Sequence, residues 1–226
     1  MWFDCEASHP GYSITVVSGY RTSAKQQTLL RYEIIKNESV GMNDKLAKKD
    51  ALRSVAPAYY SEHETGLCVD IAASDYLQLN RKQENTPENQ WLRRHCAKYG
   101  FILRYPPEKE NITHVAYEPW HFRYVGKENA AAVRALGITF EEYIEYLRGF
   151  TPETKLLHVP SLSAAKPEDL GSAEFSALPD SGYVIYFVPT DENAGTESVN
   201  IPVPAQCGSY FISGSNDGGF IVTAEL

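Results

Sequence analysis

Four residues in two separated stretches carry side chains that could do chemistry together. In SEHETGLCVDI, residues 61–71, His63 and Asp70 stand seven apart with Gly66 between them and apolar Val69 and Ile71 flanking the aspartate. A carboxylate buried among such neighbours is expensive unless something positive meets it: an arginine, a set of backbone donors or a metal ion. In YEPWHFRYVG, residues 117–126, Glu118 and His121 stand three apart around Pro119-Trp120. Two histidines and one carboxylate form a three-ligand set for zinc that leaves a fourth position for water. Glu118 would then be the general base that takes a proton from that water. The Pro-Trp pair would stiffen the turn and hold base and ligand at fixed separation. Each piece also has a plain reading. A lone histidine serves as a surface or core residue, an aspartate at a strand edge as a turn or cap, and a glutamate before proline as a solvated charge.

Order and wording favour the chemical reading. Ser61-x-His63-x-x-Gly66-x-x-x-Asp70 is followed by Glu118-x-x-His121, with SGYRTSAKQQ (residues 18–27) upstream and YGFILRYP (residues 99–106) between them. Over roughly residues 12–148 this resembles the VanY-like D-alanyl-D-alanine carboxypeptidases, relatives of the vancomycin-resistance dipeptidase. The resemblance implies an α+β fold of the Hedgehog-like kind, a small antiparallel sheet flanked by helices carrying a zinc site. By the same resemblance, His63, Asp70 and His121 would bind Zn²⁺ and Glu118 would activate water. Arg21 would stabilise the oxyanion, and Ser61, Gln26, Tyr20 and Trp120 would hold substrate. The implied reaction removes the last D-alanine from peptidoglycan stem peptides, in an extracellular or envelope-facing location. An L,D-carboxypeptidase or a D,D-dipeptidase would use the same ligands, because only pocket shape separates them. A non-catalytic wall-binding module is the rival from another class. Glu118 and Arg21 speak against it, since a binding module needs neither a base nor an oxyanion partner.

Three departures from the family pattern stand out. Cys68 occupies a position where a small alanine or serine is usual, and in an extended strand it shares a face with Asp70, so a thiolate ligand is an alternative. His114 stands where glycine is common and reads as a rim or surface residue. Relatives carry more chain before the first strand, including a helix, and this sequence starts at what reads as the end of that helix.

The elements that must position these residues are visible in outline. Ile14 to Val17 reads as a strand entering the Ser18-Gly19 turn. Thr22 or Ser23 can cap a helix to about Lys36 with Leu29, Leu30 and Ile34 on one side, and Asn43 can cap another from Asp44 to Val55. Thr86-Pro87-Glu88 opens a helix whose buried stripe is Trp91, Leu92, Cys96 and Tyr99, stopped by Gly100. Phe101 to Tyr105 and Trp120 to Val125 read as strands. Lys127 to Leu136, stopped by Gly137, and Phe140 to Arg148, opened by a Thr139–Glu142 capping box, read as helices. Composition changes after Phe150. A Pro-, Ser- and Ala-rich stretch from Thr151 to Pro179 precedes short β runs at Tyr183 to Val188, Val199 to Val203, Tyr210 to Ser213 and Phe220 to Thr223, with a turn at Asn216-Asp217-Gly218-Gly219. The expected organisation is a catalytic domain over residues 1–150 and a linker plus small all-β appendage over 151–226. In that appendage the aromatics Tyr183, Tyr186, Phe187, Tyr210, Phe211 and Phe220 read as core before glycan-binding surface.

The 226 residues, 43% hydrophobic, suffice for an ordinary core. The formal charge of −8 and the lack of Lys/Arg clusters argue against a nucleic-acid partner. No apolar run approaches the roughly 20 residues needed to cross a bilayer, and MWFDCEASHP lacks the basic-then-apolar order of a secretory signal. The four cysteines, Cys5, Cys68, Cys96 and Cys207, form no C-x-x-C pair and fit buried small apolar residues. Oligomeric state is not written in the pattern.

Overall fold

Short β-branched and aromatic runs pair into the sheet that underlies the site. The computed structural model describes residues 1–190, 199–215 and 218–226. It divides into two compact units, Met1–Val125 and Gly126–Leu226. In the first, β1 (Ile14–Ser18), β2 (Cys68–Ala73), β3 (Phe101–Leu103) and β4 (His121–Tyr124) form a four-stranded sheet in the order β1-β2-β4-β3. Every neighbouring pair is antiparallel. Helices α1 (Trp2–Ser8), α2 (Ser23–Ser39), α3 (Asp44–Ala51), α4 (Pro87–His95) and α5 (Glu110–Thr113) complete this unit. The α+β architecture is therefore as expected from the sequence.

Strand register decides which side chains meet. Asp70 lies opposite Ser18 of β1 and opposite His121 of β4, while Cys68 lies opposite Arg123. Because side chains alternate along a strand, Cys68, Asp70, His121 and Arg123 share one face of the sheet. The other face carries Ile71 and Phe122, which join Cys5, Ile14, Trp91, Leu92 and Cys96 in the core. A register shift between Val16 and Ser18 inserts Val17 as an extra residue in β1, beside the position of Asp70. Such bulges bend a strand and re-aim its side chains.

The helices are fixed by caps read from the sequence. Thr22 accepts from Lys25 N, Asn43 from Leu46 N, and Thr86 from Asn89 N with Pro87 in the first turn. Helix α2 buries polar stations, Gln26 and Asn37, while Leu29, Leu30 and Ile34 are half-buried. Asn37 Nδ2 donates to Ala47 O at 3.2 Å and so ties α2 to α3. The second of these helices ends at Ala51, short of the expected Val55, and the chain continues in turns.

The second unit contains α6 (Lys127–Leu136), α7 (Phe140–Leu147), β5 (Leu156–Val159), β6 (Gly171–Ala173), β7 (Tyr183–Pro189), β8 (Ser209–Ser215) and β9 (Gly219–Glu225). Its sheet runs in the order β6-β5-β7-β9-β8 around Leu156, Val184, Tyr186, Val222 and Ala224. Three expectations change here. Strands β5 and β6 lie inside the stretch read as linker, because runs of four and three residues are too short to show a period among prolines and serines. The expected strand at Val199 to Val203 is irregular. Pro202 and Pro204 lack amide donors for a ladder there, and Pro202 O instead accepts from Tyr186 OH at 2.6 Å. The division between units falls at Val125–Gly126 and not at residue 150, since α6 and α7 belong with the second sheet: Asn129 Nδ2 donates to Thr223 Oγ1 and Asn129 Oδ1 accepts from Tyr143 OH.

Of the appendage aromatics, Tyr186 and Phe187 are buried, whereas Tyr210 and Phe211 are exposed on the edge strand β8. Asn216 and Asp217, read as a turn, lie outside the described residues. All four cysteines are free, with Cys5, Cys68 and Cys96 buried. No helix among the described residues is long and apolar enough to cross a membrane.

Phe122 is fully buried one residue from His121, so Phe122→Ala is expected to destabilise the protein by about 3–5 kcal/mol, read as a lower urea midpoint.

Candidate metal centre

A short 3₁₀ turn, Glu62–Thr65, presents His63 to the polar face of the first sheet. Gly66 then adopts φ +72°, the left-handed region that glycine enters freely, and this reverses the chain into β2. The His63 ring is oriented by its own hydrogen bond: Nδ1–H donates to Gly19 O at 2.7 Å, which leaves the Nε2 lone pair facing inward. That Nε2 lies 3.2 Å from Asp70 Oδ2, and Asp70 Oδ1 lies 3.1 Å from His121 Nδ1. The imidazole rings stand at 89° with centroids 5.0 Å apart.

These distances have the spacing of a ligand set. Tetrahedral zinc with bonds of about 2.0–2.1 Å holds neighbouring donor atoms roughly 3.3 Å apart. Asp70 Oδ1 is buried and has no hydrogen-bond partner although an imidazole nitrogen is 3.1 Å away, so the atoms converge without pointing at each other. That is the arrangement expected of donors aimed at a common cation. Cys68 is also near: its sulfur and the two imidazoles offer ligand atoms within 4.8 Å of one another. Asp70 makes direct approaches to both imidazoles at 3.1 and 3.2 Å, so the carboxylate and the thiol are two candidate third donors on the same face of the sheet.

Mutual pairing sets the charges. Burial alone would raise Asp70, but the His121 and His63 imidazoles hold its carboxyl down at about 2. Burial alone would depress His63, yet the Asp70 carboxylate lifts it to about 9, and His121 is driven well above its ordinary value by the same partner. Cys68 is lowered, burial opposing and the imidazoles prevailing. Thus the ion-free cluster attracts protons, which a bound cation would displace.

The proposed base and oxyanion partner border the ligands. Glu118 is held by Asn89, whose Nδ2 donates to Pro119 O at 2.6 Å, and by backbone bonds Glu118 N to Tyr105 O and His121 N to Glu118 O. Its Oε2 lies 3.6 Å from His121 Nδ1, and burial pushes its carboxyl up to about 8. Arg21 Nη2 donates to Ser18 Oγ at 3.0 Å and lies 3.7 Å from Asp70 Oδ2. Its backbone N donates to His63 O, which ties the Ser-Gly-Tyr-Arg turn to the ligand turn.

Arg21 and Asp70 line an open cleft of about 480 Å³ with Ser18, Tyr20, Lys25 and Leu79. Tyr20 is 71% exposed and forms part of that cleft wall. Ser61 is buried at the start of the His63 turn, and Trp120 is half-buried with its carbonyl bonded to Ile71 N. Gln26 departs from its expected role. It is 1% exposed, its Oε1 accepts from Arg21 Nη1 at 2.7 Å and its Nε2 donates to Ala56 O at 2.7 Å. With both ends engaged, Gln26 braces Arg21 and does not reach into the cleft. His114 is exposed at φ +58°, away from the ligands, beside Lys45, Lys48 and Lys49.

The sequence reading missed Glu62, Arg104, Arg123 and Asn89. Arg123 was findable, since it stands two residues beyond His121 on a strand and therefore on the same face. Glu62, Arg104 and Asn89 gave no signal, because their relevance comes from contacts 42 and 30 residues distant in the chain.

Comparison with known proteins bears on the same residues. The family model of VanY D-alanyl-D-alanine carboxypeptidase matches residues 3–127, more than half of the chain and all of the cluster just described. The chain belongs to the VanY family. It is similar to the D-alanyl-D-alanine carboxypeptidase of Enterococcus faecium, 36% identical over 167 residues, covering 74% of this chain and 45% of that one. Among solved structures it is similar to a mutant of the vancomycin-resistance D,D-pentapeptidase VanY in complex with Zn(II), with a TM-score of 0.56, 38% identity, and coverage of 63% of this chain and 76% of that one. It is also similar to the vancomycin-resistance D,D-dipeptidase VanXYg in complex with a D-Ala-D-Ala phosphinate analogue, with a TM-score of 0.74, 28% identity, and coverage of 100% of this chain and 77% of that one. This VanY-family chain spans about half the length of the first curated relatives it matches.

The ligand geometry predicts that Zn²⁺ raises the melting temperature of the metal-free protein. Saturation a hundredfold above Kd corresponds to about 2.7 kcal/mol. Asp70→Asn is expected to abolish that rise in differential scanning fluorimetry.

Proposed function

We propose that this chain is a zinc-dependent carboxypeptidase that removes the terminal D-alanine from peptidoglycan stem peptides. The observation that carries the reading is the convergence of Asp70 on two imidazole nitrogens at 3.1 and 3.2 Å, with a buried carboxylate and a guanidinium alongside. His63 through Nε2, Asp70, and His121 through Nδ1 would hold the ion. When bound, zinc supplies Lewis-acid polarisation of a carbonyl and acidifies water to a pKa of about 7.

The chain's own groups do the rest. Glu118, raised to about 8, matches a group that takes a proton from water and returns it to a leaving amine near neutral pH. Arg21 is fixed by Ser18 and Gln26 with its guanidinium at the edge of the cleft beside Asp70, where it could meet the negative charge that develops on the carbonyl oxygen as the carbon becomes tetrahedral. Lys25 in the same cleft offers a charge for the peptide's terminal carboxylate, and Tyr20 an apolar wall for a methyl side chain. A working location at the cell envelope is part of this proposal, supported by the match to the VanY family.

Incubation with defined tripeptide, tetrapeptide and pentapeptide stems, with mass spectrometry of the products, tests the specificity. Loss of one D-alanine from the pentapeptide is the expected outcome. Cleavage of the tetrapeptide alone assigns L,D specificity, and release of D-Ala-D-Ala assigns a dipeptidase. Glu118→Ala is expected to keep bound zinc, measured by atomic absorption, and to lower kcat by about 10²–10⁴. Equal turnover by mutant and wild type would refute the base. Arg21→Lys is expected to lower kcat/KM by about 10²–10³ at retained zinc content, because the ammonium cannot reproduce the forked contacts to Ser18 and Gln26.

A further inference from the structure

Two buried polar atoms in the first unit face each other without a hydrogen bond. His121 Nε2 and Glu62 Oε2 are each enclosed and lack a partner, and they lie 3.5 Å apart. The other oxygen of the same carboxylate is clamped: Glu62 Oε1 accepts from Arg104 Nε at 2.8 Å and lies 3.0 Å from Arg123 Nη1. Arg104 is anchored in turn, its backbone N donating to His121 O and its guanidinium lying over the Tyr105 ring, which itself rests against the His121 ring with centroids 4.8 Å apart.

The tautomer follows from chemistry. For His121 to offer Nδ1 to a cation beside Asp70, Nδ1 must carry a lone pair, so the ring proton must sit on Nε2. A buried N–H needs an acceptor, and the oxygen facing it is Glu62 Oε2. We propose that Glu62, clamped in place by Arg104 and Arg123, is a positioning residue that fixes the His121 ring orientation and tautomer and so tightens metal binding. The inference rests on the zinc reading above. It accounts for two features that reading leaves aside: a glutamate next to the first ligand, and two arginines drawn to the same spot from β4 and from the residue after β3. A carboxylate behind a metal-bound imidazole raises its basicity as well as aiming it.

Glutamine cannot replace Glu62, because its single oxygen serves either the arginines or the imidazole N–H, and its amide group then opposes the other. Chelator competition with Zn²⁺ should show Glu62→Gln binding about 10–100-fold more weakly than wild type. A merely structural role would lower the melting temperature of the metal-free protein and leave the zinc Kd alone. Asp70→Asn is titrated beside it. Lost affinity in Asp70→Asn with wild-type affinity in Glu62→Gln overturns the role of Glu62 and leaves the metal centre standing. Unchanged affinity in both overturns the metal centre, and this inference with it. Should Glu62→Gln not fold, the long-range ¹H–¹⁵N spectrum of the zinc-loaded wild-type protein decides: His121 ligated through Nδ1 with a protonated Nε2 is expected, and ligation through Nε2 overturns the proposal.

Discussion

A carboxylate withdrawn from water between two imidazoles is the constraint around which the first unit is arranged. Moving an isolated carboxylate into a protein interior costs several kcal/mol even after relaxation. Asp70 meets positive partners on three sides, His63, His121 and the more distant Arg21. Those partners come from three segments of the chain. The bulge in β1, the left-handed Gly66 and the Pro119-Trp120 turn each bring one segment into reach. A slip of one residue in β2 would turn Asp70 into the core and Ile71 or Val69 toward the ligands, so strand register and site chemistry are the same specification.

The same strands carry the core on their opposite face. Phe122 and Ile71 are buried against Trp91 and Leu92 while their neighbours His121 and Asp70 point to the site. Rigidity on the apolar side thereby becomes positional accuracy on the polar side, where tenths of an ångström separate a ligand set from a loose cluster. The supporting groups extend this outward: Gly19 O orients His63, Gln26 braces Arg21, and Asn89 fixes the turn that carries Glu118. Burial pushes the ionisation of Glu118 up to about 8, since the nearby His121 imidazole offsets it only in part. The second unit has a separate core, and His63, Asp70 and His121 all lie in the first.

Much of this was legible. Helix caps at Thr22, Asn43, Thr86 and Thr139 are local, set by a side chain and an amide three residues on, and all four formed as the sequence indicates. His63, Asp70, Glu118 and His121 stood out by the order and wording of their motifs, and the fold brings the four side chains together. What was not legible depended on contact and not on pattern. The family resemblance implies Gln26 as a substrate contact, yet both ends of its side chain are engaged within the fold. Strands β5 and β6 are too short to carry a period. The division at Val125 reflects where α6 and α7 bury their side chains, which no local signal reports.

The sequence by itself therefore determined the inventory: which residues could ligate, which could accept a proton, where turns and caps must fall, and that the fold mixes helices with antiparallel strands. Tertiary structure alone decided the assembly. It brought both Asp70 and Cys68 up to the two imidazoles and set Glu62 beside His121, with arginines from distant segments on its other oxygen. It also made Gln26 a brace. The physical reason is that caps and turns are settled within a few residues by hydrogen bonds along the chain, whereas donor distances, burial and charge pairing are sums over groups that only the folded backbone brings together.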